Sequence, residues 1–173
     1  FETLAKFPVS SQPSFVFIHM LVPHTTAVFD EHGAFIGPKK REEKSDRENF
    51  LGQVKYVNSR LREIIPMLMS RQPEPIIIIQ SDEGPYPPGY ETTIKQEYWK
   101  NAGVAAQKQK LGILSAYYFP SQTFEPSRKD LSPVNSFRTV INNYFDTELP
   151  RLPVRHYLDL PELTPYSYVG ASE

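Results

Sequence analysis

The chain has 173 residues, with 19 Lys and Arg against 20 Asp and Glu, for a formal charge of -1. No global field therefore draws it to nucleic acid or to an anionic membrane. It contains no cysteine, which excludes disulfides, thiolate metal sites and a cysteine nucleophile.

The length suits a single domain, 1–173, with room for a real core. Its apolar runs fall far short of the roughly 20 residues that span a bilayer. The chain opens on Phe1 without an initiator Met or a signal-peptide pattern, so it is expected to be a piece of something longer. Its 17 prolines and 13% aromatic content describe a folded chain with long, proline-punctuated loops.

In chain order, "FVFIHML" at 15–21 is β-branched and aromatic and predicts a buried strand ended by Val22-Pro23. A loop follows, and its charge run Lys39 to Lys44 reads as a solvated surface. From about Asp46 to Ser70, Phe50, Val54, Val57, Leu61, Ile64, Ile65 and Leu68 recur at three- and four-residue steps, one face of a helix. Pro66 marks a place for a kink or an early end.

"IIIIQ" at 76–80 predicts a second strand, and its unbroken apolar run suits a strand covered on both faces, as in parallel sheets. Strand, helix and strand would make a β-α-β unit with a right-handed crossover. Residues 90–110 carry no clear pattern. A third strand is predicted over 111–119, stopped by Pro120, and a helix begins at Ser132 as N-cap with Pro133 in its first position. Residues 121–132 and 147–173 are loop-rich, and there is no internal repeat. The expected fold class is α/β: a three-layer, mostly parallel sheet with helices on its faces.

In open α/β sheets functional groups collect at the carboxyl ends of the strands. There His19 sits at the end of the first strand and His24 just beyond it, Asp82 and Glu83 leave the second, and Tyr117 and Tyr118 lie at the end of the third. Two imidazoles and two carboxylates at one edge would suit Mg, Mn, Ca or Zn. Each has a plainer reading as well: Asp-Glu-Gly as a simple turn, His19 as a core histidine. His32 and His156 lie in loops without a spacing signal.

Taken in order, "FVFIHMLVPHTTAVFDEHG", "IIIIQSDEGP", "LGILSAYYFP" and "LSPVNSFRTVINNYF" resemble the C-terminal half of the sulfatase-like hydrolases of the alkaline phosphatase superfamily, most of all the bacterial membrane-anchored branch. The similarity runs over roughly residues 14 to 157. It implies a partial alkaline-phosphatase-like fold in a hydrolase or phospho/sulfotransferase acting on sulfate or phosphate esters. It also implies a membrane-anchored parent with this domain on the extracytoplasmic side of a bacterial membrane.

By the same resemblance Asp82 is a ligand of a divalent metal and His24 contacts the sulfuryl or phosphoryl oxygens as a catalytic and substrate-binding residue, with His19 a further substrate-binding candidate. The family's turn usually carries His or Asn where this chain has Glu83, and a carboxylate there favours a harder ion. The family also needs a hydroxyl nucleophile and another acidic ligand from its N-terminal half. Ser10, Ser11 and Ser14 follow no strand with an acidic end, so none is nominated.

Two other readings remain. One is a non-catalytic module binding an anion, a glycan or a partner chain on the same fold, which the changed residue at Glu83 favours. The other, a nucleotide-binding domain, lacks any G-x-G-x-x-G or G-K-[ST] loop after a strand. Strands covered on one side only would also expose apolar faces, so self-association of the chain is expected.

Overall fold

The structure, a computed structural model, describes residues 1–90, 98–99, 101–120, 132–159 and 168–170. The chain divides into two compact units, Phe1–Pro75 and Ile76–Glu173.

In the first unit, short helices α1 (Glu2–Ala5) and α2 (Pro38–Glu42) precede the long α3 (Asp46–Met69). A capping box starts α3: the Ser45 hydroxyl accepts from Glu48 N at 3.3 Å, and the Glu48 carboxylate accepts from Ser45 N at 2.9 Å. Pro66 sits within the final turn, where one missing N–H costs little, and the helix runs on to Met69. The face expected from the 3.6-residue period is turned inward, with Ile64 and Leu68 buried and Phe50, Val54, Val57, Leu61 and Ile65 half-buried.

Toward the N-terminal end of α3 the deepest residues are polar. Gln53 is 1% exposed, and its Oε1 accepts from Val28 N at 2.9 Å and Phe29 N at 3.3 Å while Nε2 donates to His24 O at 2.9 Å. Asn49 donates to the carbonyls of Arg41 and Lys44. These amides hold the irregular 24–44 segment on the helix by satisfying its buried backbone. The segment itself turns back at Asp30 to Gly33, with Phe29 bridging Phe35 and Gly33 at φ +83°, the left-handed region open to glycine. A Cβ on Gly33 would also meet the Tyr56 ring at 2.3 Å.

The strand expected at 15–21 is not formed. Those residues have no regular structure, and Phe15, Phe17 and Leu21 are exposed. β-propensity describes fit to a pleated surface, and a strand exists only with a hydrogen-bonded neighbour. The β-α-β unit that needed it as first strand is likewise not seen.

In the second unit β1 (Ile77–Gln80) pairs antiparallel with β2 (Ser115–Tyr118), Ile77 opposite Tyr118 and Gln80 opposite Ser115. Between them α4 (Val104–Leu111) occupies part of the stretch that had no clear pattern. The third predicted strand is correspondingly shorter, because Leu111 ends that helix. α5 (Pro133–Tyr144) begins after Ser132 as expected. Strands β3 (Tyr157–Asp159) and β4 (Tyr168–Gly170) form a second antiparallel pair.

The buried face of α5 is also polar. Asn135, Ser136 and Thr139 are all 2% exposed or less. Asn135 brackets Leu152, donating to its carbonyl and accepting from its N–H, both at 2.9 Å. Two turns on, Asn142 does the same for Leu149. Ser136 meets Gln80 Nε2 at 2.8 Å and Tyr117 OH at 2.6 Å, tying α5 to both strands. The described residues therefore form a mixed arrangement of helices and small antiparallel sheets, in which the neighbour of β1 is the antiparallel β2.

Candidate functional site

The turn after β1, Ser81 to Gly84, is fixed from both sides. Ser81 N donates to Leu114 O at 2.9 Å and the Ser81 hydroxyl accepts from Leu114 N at 2.9 Å, which carries the pairing of β1 and β2 one step further. Gly84 N donates to Lys110 O at 2.7 Å. A Cβ on Gly84 would lie 2.1 Å from Gln109 O, so only glycine lets the turn press against the end of α4.

Asp82 and Glu83 project from this fixed backbone, and both are exposed at residue level. Asp82 Oδ1 accepts from the N–H of the next residue, Glu83, at 2.9 Å. Glu83 has a stronger engagement: its Oε2 stands 2.5 Å from Lys110 Nζ, whose side chain is only 11% exposed. That ammonium lies 3.4 Å from the centre of the Tyr86 ring. It is buried and not in line for a hydrogen bond, so charge and the ring's negative face hold it. Burial, and then the neighbouring Glu83 charge, pushes the Tyr86 phenol up to about 12. Tyr86 continues into an aromatic group, stacked on Tyr90 at 4.5 Å, with Tyr98 and the buried Trp99 behind.

His19 and His24 belong to the first unit and the acid pair to the second. His19 lies within the exposed apolar run, so it is not a core histidine. His24 is exposed as well, and its backbone is held by N–H to Leu21 O at 3.1 Å and by Gln53 on its carbonyl. The peptide bonds Val22–Pro23 and Thr25–Thr26 on either side are cis. His32 is 83% exposed, and His156 is exposed too. Tyr117 joins the Gln80 and Ser136 network.

Among the described residues no three His, Asp or Glu side chains are grouped as a metal site. The turn offers two carboxylates on a fixed loop, one of them already facing the Lys110 ammonium. Lys110 and Gln53 were invisible to motif reasoning. The signal for Lys110 was a basic last helical turn, Lys108 and Lys110, near an acidic one.

No family profile, curated protein or solved structure matches the chain. No described helix is long and apolar enough to cross a membrane.

Proposed function

We propose that this chain is part of a sulfatase-like, metal-dependent hydrolase or phospho/sulfotransferase acting on sulfate or phosphate esters. In this proposal its strands join a larger, mostly parallel sheet of the alkaline-phosphatase type. The observation that carries the reading is the turn itself: an acid pair held at the carboxyl end of β1 by a backbone with no room for a side chain at Gly84, one carboxylate already matched to a cation.

Asp82 and Glu83 are the proposed holders of a divalent ion, Mg, Ca, Mn or Zn. When bound, such an ion lowers the pKa of a reacting hydroxyl and neutralises the oxygens of the transferring group. For His24, exposed on a backbone anchored by Gln53, the proposed role is to stabilise charge on an ester's oxygens or to give a proton to a leaving oxygen, and for His19 to assist in binding an ester. The attacking hydroxyl and the remaining acidic ligand come, in this proposal, from outside these residues, in a membrane-anchored parent whose domain faces the extracytoplasmic side. The exposed apolar residues of 15–21 are compatible with packing against a further segment.

The test is turnover of an aryl sulfate and an aryl phosphate by protein expressed from the whole reading frame, with metal content measured after dialysis. Activity with a bound ion, reduced about 100-fold or more by His24→Ala, is expected. Absence of both ion and turnover contradicts the reading. The Glu83–Lys110 pair favours one alternative, a non-catalytic module on the same fold that binds an anion, a glycan or a partner chain, in which the acid pair has become structural. Binding of sulfate or phosphate without turnover would select it.

A further inference from the structure

Helix α5 turns its polar face inward and its apolar face out. Asn135, Ser136 and Thr139 are buried, whereas Val134 is 43% exposed, Phe137 51% and Phe145 68%, with Ile141 half-buried. Val134, Phe137, Ile141 and Phe145 recur at steps of three, four and four residues, the spacing of one helical stripe, with Phe145 just past the last turn. Beside the helix, Leu149 and Leu152 are exposed on the segment that Asn142 and Asn135 hold there. An apolar stripe that lies opposite the buried face of its own helix finds no cover in the core beneath that helix.

The stripe reads nearly the same in both directions. When a second α5 is turned end for end about a two-fold axis at the level of Thr139, Val134 of one copy comes opposite Phe145 of the other, and Phe137 opposite Ile141. Each pair sets an aromatic ring against a smaller branched side chain, the complementarity that an isologous helix pair needs. The formal charge of -1 leaves little repulsion between copies. We propose that the outer face of α5 is a docking surface for a second copy of this chain, the two helices packing antiparallel. A 12-residue helix is about 18 Å long, so the pair buries less than the roughly 800 Å² per partner of a stable interface, and its dissociation constant is on the order of 100 μM.

The chain contains no cysteine, so a single introduced thiol reports on its own surroundings. Val134→Cys and Phe145→Cys proteins, mixed at millimolar concentration with a short thiol cross-linker, are expected to join to each other severalfold faster than either joins to itself, because antiparallel packing puts like positions at opposite ends of the pair. Faster self-linking of either variant, or no linking in any combination, overturns the proposal. Sedimentation velocity adds a second measurement, in a background carrying Phe15→Ser and Phe17→Ser so that the other exposed strip takes no part. A dimer is expected there at millimolar concentration, with its association constant lowered about tenfold or more by Val134→Ser with Phe145→Ser. A monomer, or a dimer that the two serines leave intact, contradicts the proposal and gives the face to some other segment or partner.

Discussion

Glu83 shows how one side chain can be claimed by two roles. Its position after Asp82 makes it a ligand candidate, and its geometry makes it the partner of a buried lysine. Gly84 is the other decisive residue, since no side chain fits between it and the carbonyls of Gln109, Lys110 and Gly112. Gly84→Ala is therefore expected to destabilise the protein by about 1–3 kcal/mol, read from urea denaturation; unchanged stability would mean that the turn is not pinned. Gln53 anchors the His24 backbone through an amide that is almost fully buried. Gln53→Ala leaves the Val28 N–H and the His24 carbonyl without that partner, an expected loss of about 1–3 kcal/mol for each group left unsatisfied, measured in the same way.

At the scale of elements, a helix start and the loop before it hold three carboxylates of the first unit by hydrogen bonds and ion pairs. The Ser45 hydroxyl, and then its amide, hold the Glu48 carboxyl below its ordinary range. The Ala34 and His32 amides do so for Asp30, with Lys40 adding to them, and Lys55 does so for Glu31. A carboxylate depressed in the folded state contributes stability above its unfolded pKa and loses it as pH falls through the folded value. Stability is thus expected to decline as pH drops below about 4. Asp30→Asn flattens that decline in chemical denaturation followed across pH, and an unaltered acid limb would contradict the assignment.

The same elements show what could be read from sequence. The start of α5 at Ser132-Pro133, strand β1 and the apolar stripe of α3 were all legible, because N-caps, β-branched runs and 3.6-residue spacing act locally. The inward polar residues were not. Asn49, Gln53, Asn135 and Asn142 look like surface amides, and they matter because irregular neighbouring chain offers backbone groups that need partners. Residues 15–21 failed in the opposite sense: their composition is that of a strand, but composition supplies no neighbouring ladder. Of the candidate site, Asp82 and Glu83 were placed on a strand-end turn as expected, whereas Lys110 lay in a stretch without readable periodicity.

For the molecule as a whole, the exposed run from Phe15 to Leu21 is the feature with the largest consequence. Phe15 and Leu21 are each 73% exposed and Phe17 is 78%, a contiguous apolar strip of the kind that joins a sheet or another chain. The isolated chain is expected to self-associate in sedimentation velocity at high concentration, and Phe15→Ser with Phe17→Ser to shift it toward monomer. A wild type that stays monomeric would show the strip to be harmless. The central claim, however, concerns the acid turn. Its most direct measurement is the divalent metal content, by elemental mass spectrometry after dialysis, of protein expressed from the whole reading frame, with and without Asp82→Asn. The account predicts bound metal in the wild type that is lost in the variant; a wild type free of metal, or a variant that keeps it, would contradict it.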